Sequence, residues 1–332
     1  MEVGVDAEAL LARFEDLTVL EEEFDDAELE IIRKTTALTE PLYTKRAAVA
    51  AKIPHFWPLV FEQCPPELDQ HIQPSDSKLF ADALDEFSVS RFEIDDPTGS
   101  PRSFCVRFTF AENDHVTDKV LEKKFWYRHS KTSRWEGLVS EPVKIHWKKG
   151  KDLTAGLTDA AVRLWEAKQK LASGKTNGAK KGDAASLPEY QALKQKIELA
   201  EESSLSFFAW FGFISSYKYV SAAESVQAKK EELARRELRK QGKPVEEPED
   251  EDEDGDEDTE VFPAGEELAT ILAEELWPGA IKYFKSAHEV DDEELSDLEV
   301  EDLDDDSDDE IDIRGLVGKG KNGSPPSKKR RT

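Results

Sequence analysis

The sequence holds few groups that could make or break bonds, and their spacing is wrong for it. Gly174-Lys175-Thr176 has the form of the end of a phosphate-cradling loop, in which backbone N–H groups and a lysine hold a phosphate. The glycine such a loop needs upstream falls at Gln169, and no strand precedes it. Asp250, Asp252, Asp254 and Gly255 resemble the start of a calcium loop, but its bidentate acid would fall at Val261. The histidines, His55, His71, His115, His129, His146 and His288, show no ligand spacing with each other or with Cys64 and Cys105. No Gly-x-Ser-x-Gly elbow occurs. No catalytic residue, no metal and no cofactor is expected, and the chain reads as a binding protein rather than an enzyme.

What the sequence does hold is charge. The 332 residues include 73 acids and 45 bases, a formal net charge of −28. Residues 246–260 carry 12 acids and residues 289–312 carry 16, with no Lys or Arg in either run. Outside these runs, 45 acids face 45 bases, so the body is formally neutral and the excess sits in two short stretches. Phosphate would be repelled, so sequence-specific nucleic acid is not an expected partner. A strongly basic protein is. No run is apolar enough to cross a membrane, no signal peptide is expected at the start, and two cysteines make no disulfide framework.

The tail acids, Asp304, Asp305, Asp306, Asp308, Asp309 and Glu310, are expected to act collectively on a basic partner. From residue 289 on, composition predicts disorder. Ser296 and Ser307 are followed by acids and are candidates for an acid-directed kinase, which would deepen the charge. Lys328, Lys329, Arg330 and Arg331 behind Pro325-Pro326 look like a nuclear-import signal, which predicts an importin partner and a nuclear location with cytoplasmic shuttling.

These charges need a scaffold. Residues 6–53 lack glycine and hold one proline, Pro41. Leu10, Leu17, Phe24, Ile31 and Leu38 recur every seven residues, joined by Phe14, Leu42 and Val49. This predicts an amphipathic helix roughly 70 Å long. So long an apolar seam calls for a partner helix, most simply from a second copy. The alternative is two ordinary helices broken near Asp25-Asp26 or at Pro41. Residues 54–85, with five prolines and Phe56, Trp57 and Phe61, predict short helices on a core. Alternating runs at 87–94, 103–110 and 120–128 and an extended run at 143–147 predict an antiparallel meander of about four strands. Helices are expected at 153–172, 190–211 and 262–288, and a charged helical stretch within 213–245.

Five segments, in order, resemble the nucleosome assembly protein family. They are KTTALTEPLYTKRAAVAAKIPHFWPLVF (34–61), FCVRFTFAENDHVTDKVLEKKFW (104–126), KIHWKKGKDLT (144–154), SFFAWF (206–211) and ELWPGAIKYF (275–284). The likeness covers roughly residues 10–285 and is nearer to the SET/template-activating-factor branch, including its fungal histone chaperone that partners a histone acetyltransferase. It implies an α+β fold: residues 6–53 as a dimerisation helix, 54–211 with 262–288 as an "earmuff" of a four-stranded antiparallel sheet backed by helices, and 289–332 as an acidic tail. It implies a homodimer through Leu10, Phe14, Leu17, Phe24, Ile31 and Leu38, and a histone chaperone that binds core histones. By the same resemblance Glu266, Glu267, Glu274 and Glu275 face the histones, with Glu112, Asp114 and Asp118 as a second set. The alternative function is a regulatory scaffold, activating a histone acetyltransferase or inhibiting a phosphatase. Residues 212–261 depart from the family pattern and are expected to be an added charged arm outside the fold.

Overall fold

The computed structural model describes residues 7–172, 184–200, 205–241, 243, 245 and 259–300. Gly174-Lys175-Thr176, the calcium-like run at 250–255, Asp304, Asp305, Asp306, Asp308, Asp309, Glu310, Ser307 and Lys328, Lys329, Arg330, Arg331 lie outside the described residues. So do the side chains of Leu10 and Ser296. The chain divides into a body, Met1–Glu289, and a C-terminal unit from Val290.

The first 44 described residues form one helix, α1 (Ala7–Ala50), unbroken at Asp25-Asp26 and at Pro41. Pro41 lacks an N–H, but it is exposed, so water can reach the carbonyl it leaves free. The helix has two working faces. Glu22, Leu29, Thr36, Tyr43 and Ala50, seven residues apart, are half-buried or buried. The opposite face carries Phe14, Leu17, Phe24, Ile31, Leu38, Leu42 and Val49, each 55–74% exposed. Arg46 pins the C-terminal end. Its guanidinium lies 4.0 Å from the Trp277 ring centre and 4.7 Å from that of Tyr43, and donates to the Trp277 carbonyl at 2.5 Å. Burial pulls its pKa down to about 10, Tyr43 opposing.

The proline-rich stretch forms α2 (Phe56–Glu62), α3 (Pro66–Asp69) and α4 (Pro74–Ala83). Pro66 and Pro74 open their helices, where a missing N–H costs nothing. Phe56, Trp57 and Phe61 are buried, as expected. Asp76 closes a capping box on α4 by accepting the Gln73 N–H at 3.0 Å. It also accepts the Ser206 hydroxyl at 2.6 Å and the Phe207 N–H at 2.7 Å. Burial pushes its carboxyl up, against the pull of these donors. Replacing Asp76 with Ala leaves several buried donors unpaired at roughly 1–3 kcal/mol each. A fall in the denaturant midpoint equivalent to about 3 kcal/mol is expected, and an unchanged midpoint would show that the cap is dispensable.

The sheet runs in chain order: β1 (Leu84–Ser90), β2 (Phe104–Phe110), β3 (Val120–His129) and β4 (Glu136–Ser140), all antiparallel. The register places Phe87 opposite Phe108, Phe104 opposite Phe125 and Val106 opposite Lys123, on the core face. Arg107 and Glu122 pair on the other, exposed face. The fourth strand is therefore Glu136–Ser140, not 143–147. The latter makes an isolated bridge, Val116 to Trp147, because Val143 N–H goes instead to the Phe211 carbonyl.

The cover of the core face comes from α2, α4 and the segment 206–213. Phe61, Phe80, Phe207 and Phe211 all meet Phe108, with ring centres 5.8–6.2 Å apart. Helix α5 spans Leu157–Ala172 and α6 spans Pro188–Leu199. SFFAWF does not extend α6; Phe207–Gly212 is a separate 3-10 turn, capped by the Ser206 hydroxyl on the Phe208 N–H. Helix α7 (Ala222–Lys240) lies within the expected free arm, yet it is docked: Ser225 and Ala228 are buried, and Ser225 accepts the His129 N–H at 3.1 Å. Helix α8 (Gly265–Thr270) leads through a wide π segment, Ile271–Leu276, into α9 (Trp277–Val300).

Candidate functional site

The acids proposed from the sequence fall on two elements, the 265–276 helical run and the β2–β3 turn. The start of α8 is tightly fixed. A Cβ at Gly265 would come within 2.2 Å of the Phe213 ring, and the Gly265 carbonyl accepts the Trp210 indole N–H at 2.9 Å. That seat places Glu266 over the edge of β4, where it accepts the Leu138 N–H at 3.0 Å and the Ser216 hydroxyl. Gly137 leaves room for it, since a Cβ there would stand 3.2 Å from the Glu266 oxygen and 2.8 Å from Trp135. Glu266 therefore closes the sheet edge, and its carboxylate is committed to this chain.

Its neighbours are more open. Glu267 is exposed. Glu274 is 57% exposed and reaches Arg91 at 3.2 Å. Glu275 is exposed and accepts the Tyr283 hydroxyl at 2.8 Å. Burial, then Glu275, then Cys64 and the nearby Glu67 push the Tyr283 phenol well above its ordinary range. So Glu67 of α3 shares this neighbourhood, which sequence reading missed because α3 is far away along the chain.

The second set splits in the same way. Asn113 shapes the turn by accepting the His115 and Val116 N–H groups at 2.9 Å each. This leaves Glu112 and Asp114 exposed. Asp118 is half-buried and pins residue 146, accepting its N–H at 2.6 Å and meeting its ring Nδ1 at 2.8 Å. Lys78 and Lys151 lie close enough to bear on His115, whose pKa burial lowers first. The turn acids thus sit among cations, and their field is weaker than that of an unmixed acidic face.

No group of three or more His, Cys, Asp or Glu side chains suited to a metal ion occurs among the described residues. Cys64 and Cys105 are free and buried, and burial pushes each thiol up to about 12, so neither is a ready nucleophile. No helix among the described residues is long and apolar enough to cross a membrane.

The sequence model of one protein family, described as Nucleosome assembly protein (NAP), matches residues 21–287. A Schizosaccharomyces pombe protein described as a nucleosome assembly protein is 36% identical over 149 residues, covering 42% of this chain and 59% of that protein. Protein SET of Drosophila melanogaster is 30% identical over 141 residues, 42% of this chain and 49% of its own length. The chain thus spans half to three-fifths of these two curated relatives. Among solved structures, that of a Ccp1 mutant is similar, with a TM-score of 0.51 at 25% identity, covering 85% of this chain and 98% of that one.

Proposed function

The chain belongs to the nucleosome assembly protein family, and from that premise we propose that it is a histone chaperone working as a homodimer. The observation that carries the reading is the pairing of an unpartnered apolar seam on α1 with acids that the fold leaves open. Phe24 and Leu38 are 72% and 74% exposed in the single chain. A line of large apolar side chains that long is an interface, and a second copy offers the matching line.

Core histones are dense in lysine and arginine and bind DNA through counterion release. A chaperone must offer a competing anionic surface without an irreversible grip. Among the candidate acids on the body, Glu267, Glu274, Glu275, Glu112 and Asp114 are the exposed ones, and they are the proposed contacts. Glu266 and Asp118 serve by holding β4 and residue 146 in place. The acidic runs at 246–260 and 289–312 add long-range attraction at low affinity per contact. The same reading makes the basic end at 328–331 an import signal for nuclear delivery through an importin, and Ser296 and Ser307 sites that would deepen the tail's charge. A histone acetyltransferase or phosphatase would then meet the chaperone through its histone cargo.

Titration of core histones into the full-length protein, followed by light scattering, tests this. Soluble stoichiometric complexes are expected. Removal of residues 289–332 should weaken binding about tenfold without abolishing it, and raising salt beyond ~0.15 M, where the Debye length is roughly 8 Å, should narrow the gap. Complete loss of binding with the tail would mean that the body acids are only a solvated face. No binding by either form would overturn the reading, and an affinity capture with candidate enzymes would then test the scaffold alternative.

A further inference from the structure

Helix α1 is held to the body by two different kinds of contact. Its C-terminal end is apolar: Tyr43 and Ala50 join the core, and Arg46 stacks on Trp277. Among the described residues, no apolar side chain of α1 before Tyr43 packs against that core. Yet the helix surface at residues 22–28 is gripped. Arg236 of α7 reaches Glu22 at 2.9 Å and Asp26 at 2.7 Å, and Arg239 reaches Glu22 at 2.6 Å. From the β1–β2 connection, Arg102 reaches Asp25 at 2.5 Å and Glu28 at 3.1 Å, and lies 5.1 Å from the Tyr127 ring centre. Lys229 of α7 donates to the Gly99 carbonyl at 2.9 Å, so α7 and this connection form one basic jaw.

The basic half of these pairs is sheltered. The side chains of Arg239, Arg236, Arg102 and Glu22 are 3%, 15%, 18% and 17% exposed, whereas Asp25, Asp26 and Glu28 are 46%, 58% and 67% exposed. The enclosed guanidiniums depend on their partners, and the open carboxylates let salt reach the pairs. The placement on α7 is regular: Ser225, Lys229, Glu232, Arg236 and Arg239 follow one helical face. On that face only Ala228 adds a buried apolar side chain within the helix. A helix with so little apolar anchorage is held mainly by its ions.

We propose that α7 and the β1–β2 connection form an ionic strut bracing the N-terminal half of α1 against the body, and that the strut releases as ionic strength rises. Release frees Glu22, Asp25, Asp26 and Glu28. They lie in a stretch, residues 15–30, that holds nine acids and no Lys or Arg. The strut thus also occupies part of an acidic surface with the arginines of the same chain.

Hydrogen exchange on the full-length protein tests this, read at the α7 amides 229–240, with the neutralising substitutions placed on α1 away from its apolar seam. Glu22→Gln with Asp26→Asn should raise exchange across 229–240 by about tenfold or more and leave β2 and β3 unchanged. Wild-type protein should show the same change between ~0.05 M and ~0.5 M salt, where the Debye length falls below ~5 Å. The swap Glu22→Arg, Asp26→Arg, Arg236→Glu, Arg239→Glu should restore protection at low salt. Unchanged exchange in the neutralised variant would overturn the strut. So would equal loss of protection in β2 and β3, which would make α7 part of the core, or a swap that fails to restore protection.

Discussion

Replacing Phe24, Ile31 and Leu38 together with glutamate should turn the protein from a dimer into a monomer, read as a halving of the mass by light scattering. The three side chains are 72%, 61% and 74% exposed in the single chain, on the α1 face away from the body. A two-fold pairing of α1 buries them twice over. At about 1.5–3 kcal/mol for each large apolar side chain taken out of water, three from each copy contribute roughly 9–18 kcal/mol. The substitutions remove that term and place carboxylates in a closing apolar seam, where they would lack partners. The body should survive, because none of the three touches its core. The far-UV signal of α1 should fall, since a helix without its partner loses the packing that holds it. Glu23→Gln with Glu30→Gln, exposed on another side of α1, is the control and should leave the dimer intact. A triple variant that stays dimeric at micromolar concentration would move the interface elsewhere.

Much of this was legible in the sequence, and the reason differs by element. The α1 seam was readable because a heptad pattern is local and redundant: several residues carry the same message, and Pro41 alone could not break it. The core aromatics were readable because Phe104, Phe108, Phe110 and Phe125 fall at alternate positions of β2 and β3. What escaped were features defined by distant partners. Strand β4, Glu136-Gly137-Leu138-Val139-Ser140, is short and holds a glycine, which reads as a turn. It is a strand because β3 pairs one side, while Glu266 and Ile214 take the Leu138 and Ser140 N–H groups on the other. Its competitor at 143–147 has better strand residues, but its Val143 N–H is claimed by Phe211. The α7 docking escaped for the same reason. Arg236 and Arg239 look like part of a solvated charge run until Glu22 and Asp26, more than two hundred residues earlier, are brought beside them. Among the candidate acids, residue type was readable and availability was not. Nothing local tells Glu266, locked on β4, from Glu267, left open.

Lys123 is the residue where that gap is widest, and its replacement with Met should cost the body about 1–3 kcal/mol. The run VLEKKFWYR places Lys123 on the core side of β3, where alternation demands an apolar residue. Its side chain is 0% exposed. The ammonium has three N–H donors, and three carbonyls meet them: Glu141 at 3.1 Å, Phe211 at 3.2 Å and Phe213 at 2.8 Å. Burial pulls its pKa well below the lysine range, with the Glu141 carboxylate opposing. The one-to-one match of protons to acceptors is what keeps the charged form tolerable there. Methionine fills similar space but leaves the Phe213 carbonyl without its donor, at roughly 1–3 kcal/mol, while the Phe211 and Glu141 carbonyls keep the Val143 N–H and the Ser140 hydroxyl; the loss is offset in part because no charge need be buried. The denaturant midpoint at fixed protomer concentration reads the net effect. A midpoint that holds or rises would mean that the cost of burying the ammonium outweighs its bonds. The consequence reaches the acids. Phe211 and Phe213 bracket the end of the 3-10 turn on which Gly265 is seated, and Gly265 starts the helix that carries Glu267, Glu274 and Glu275. Loosening that seat should weaken histone binding by the tail-less protein more than by the full-length chain, because the tail acids do not depend on the fold.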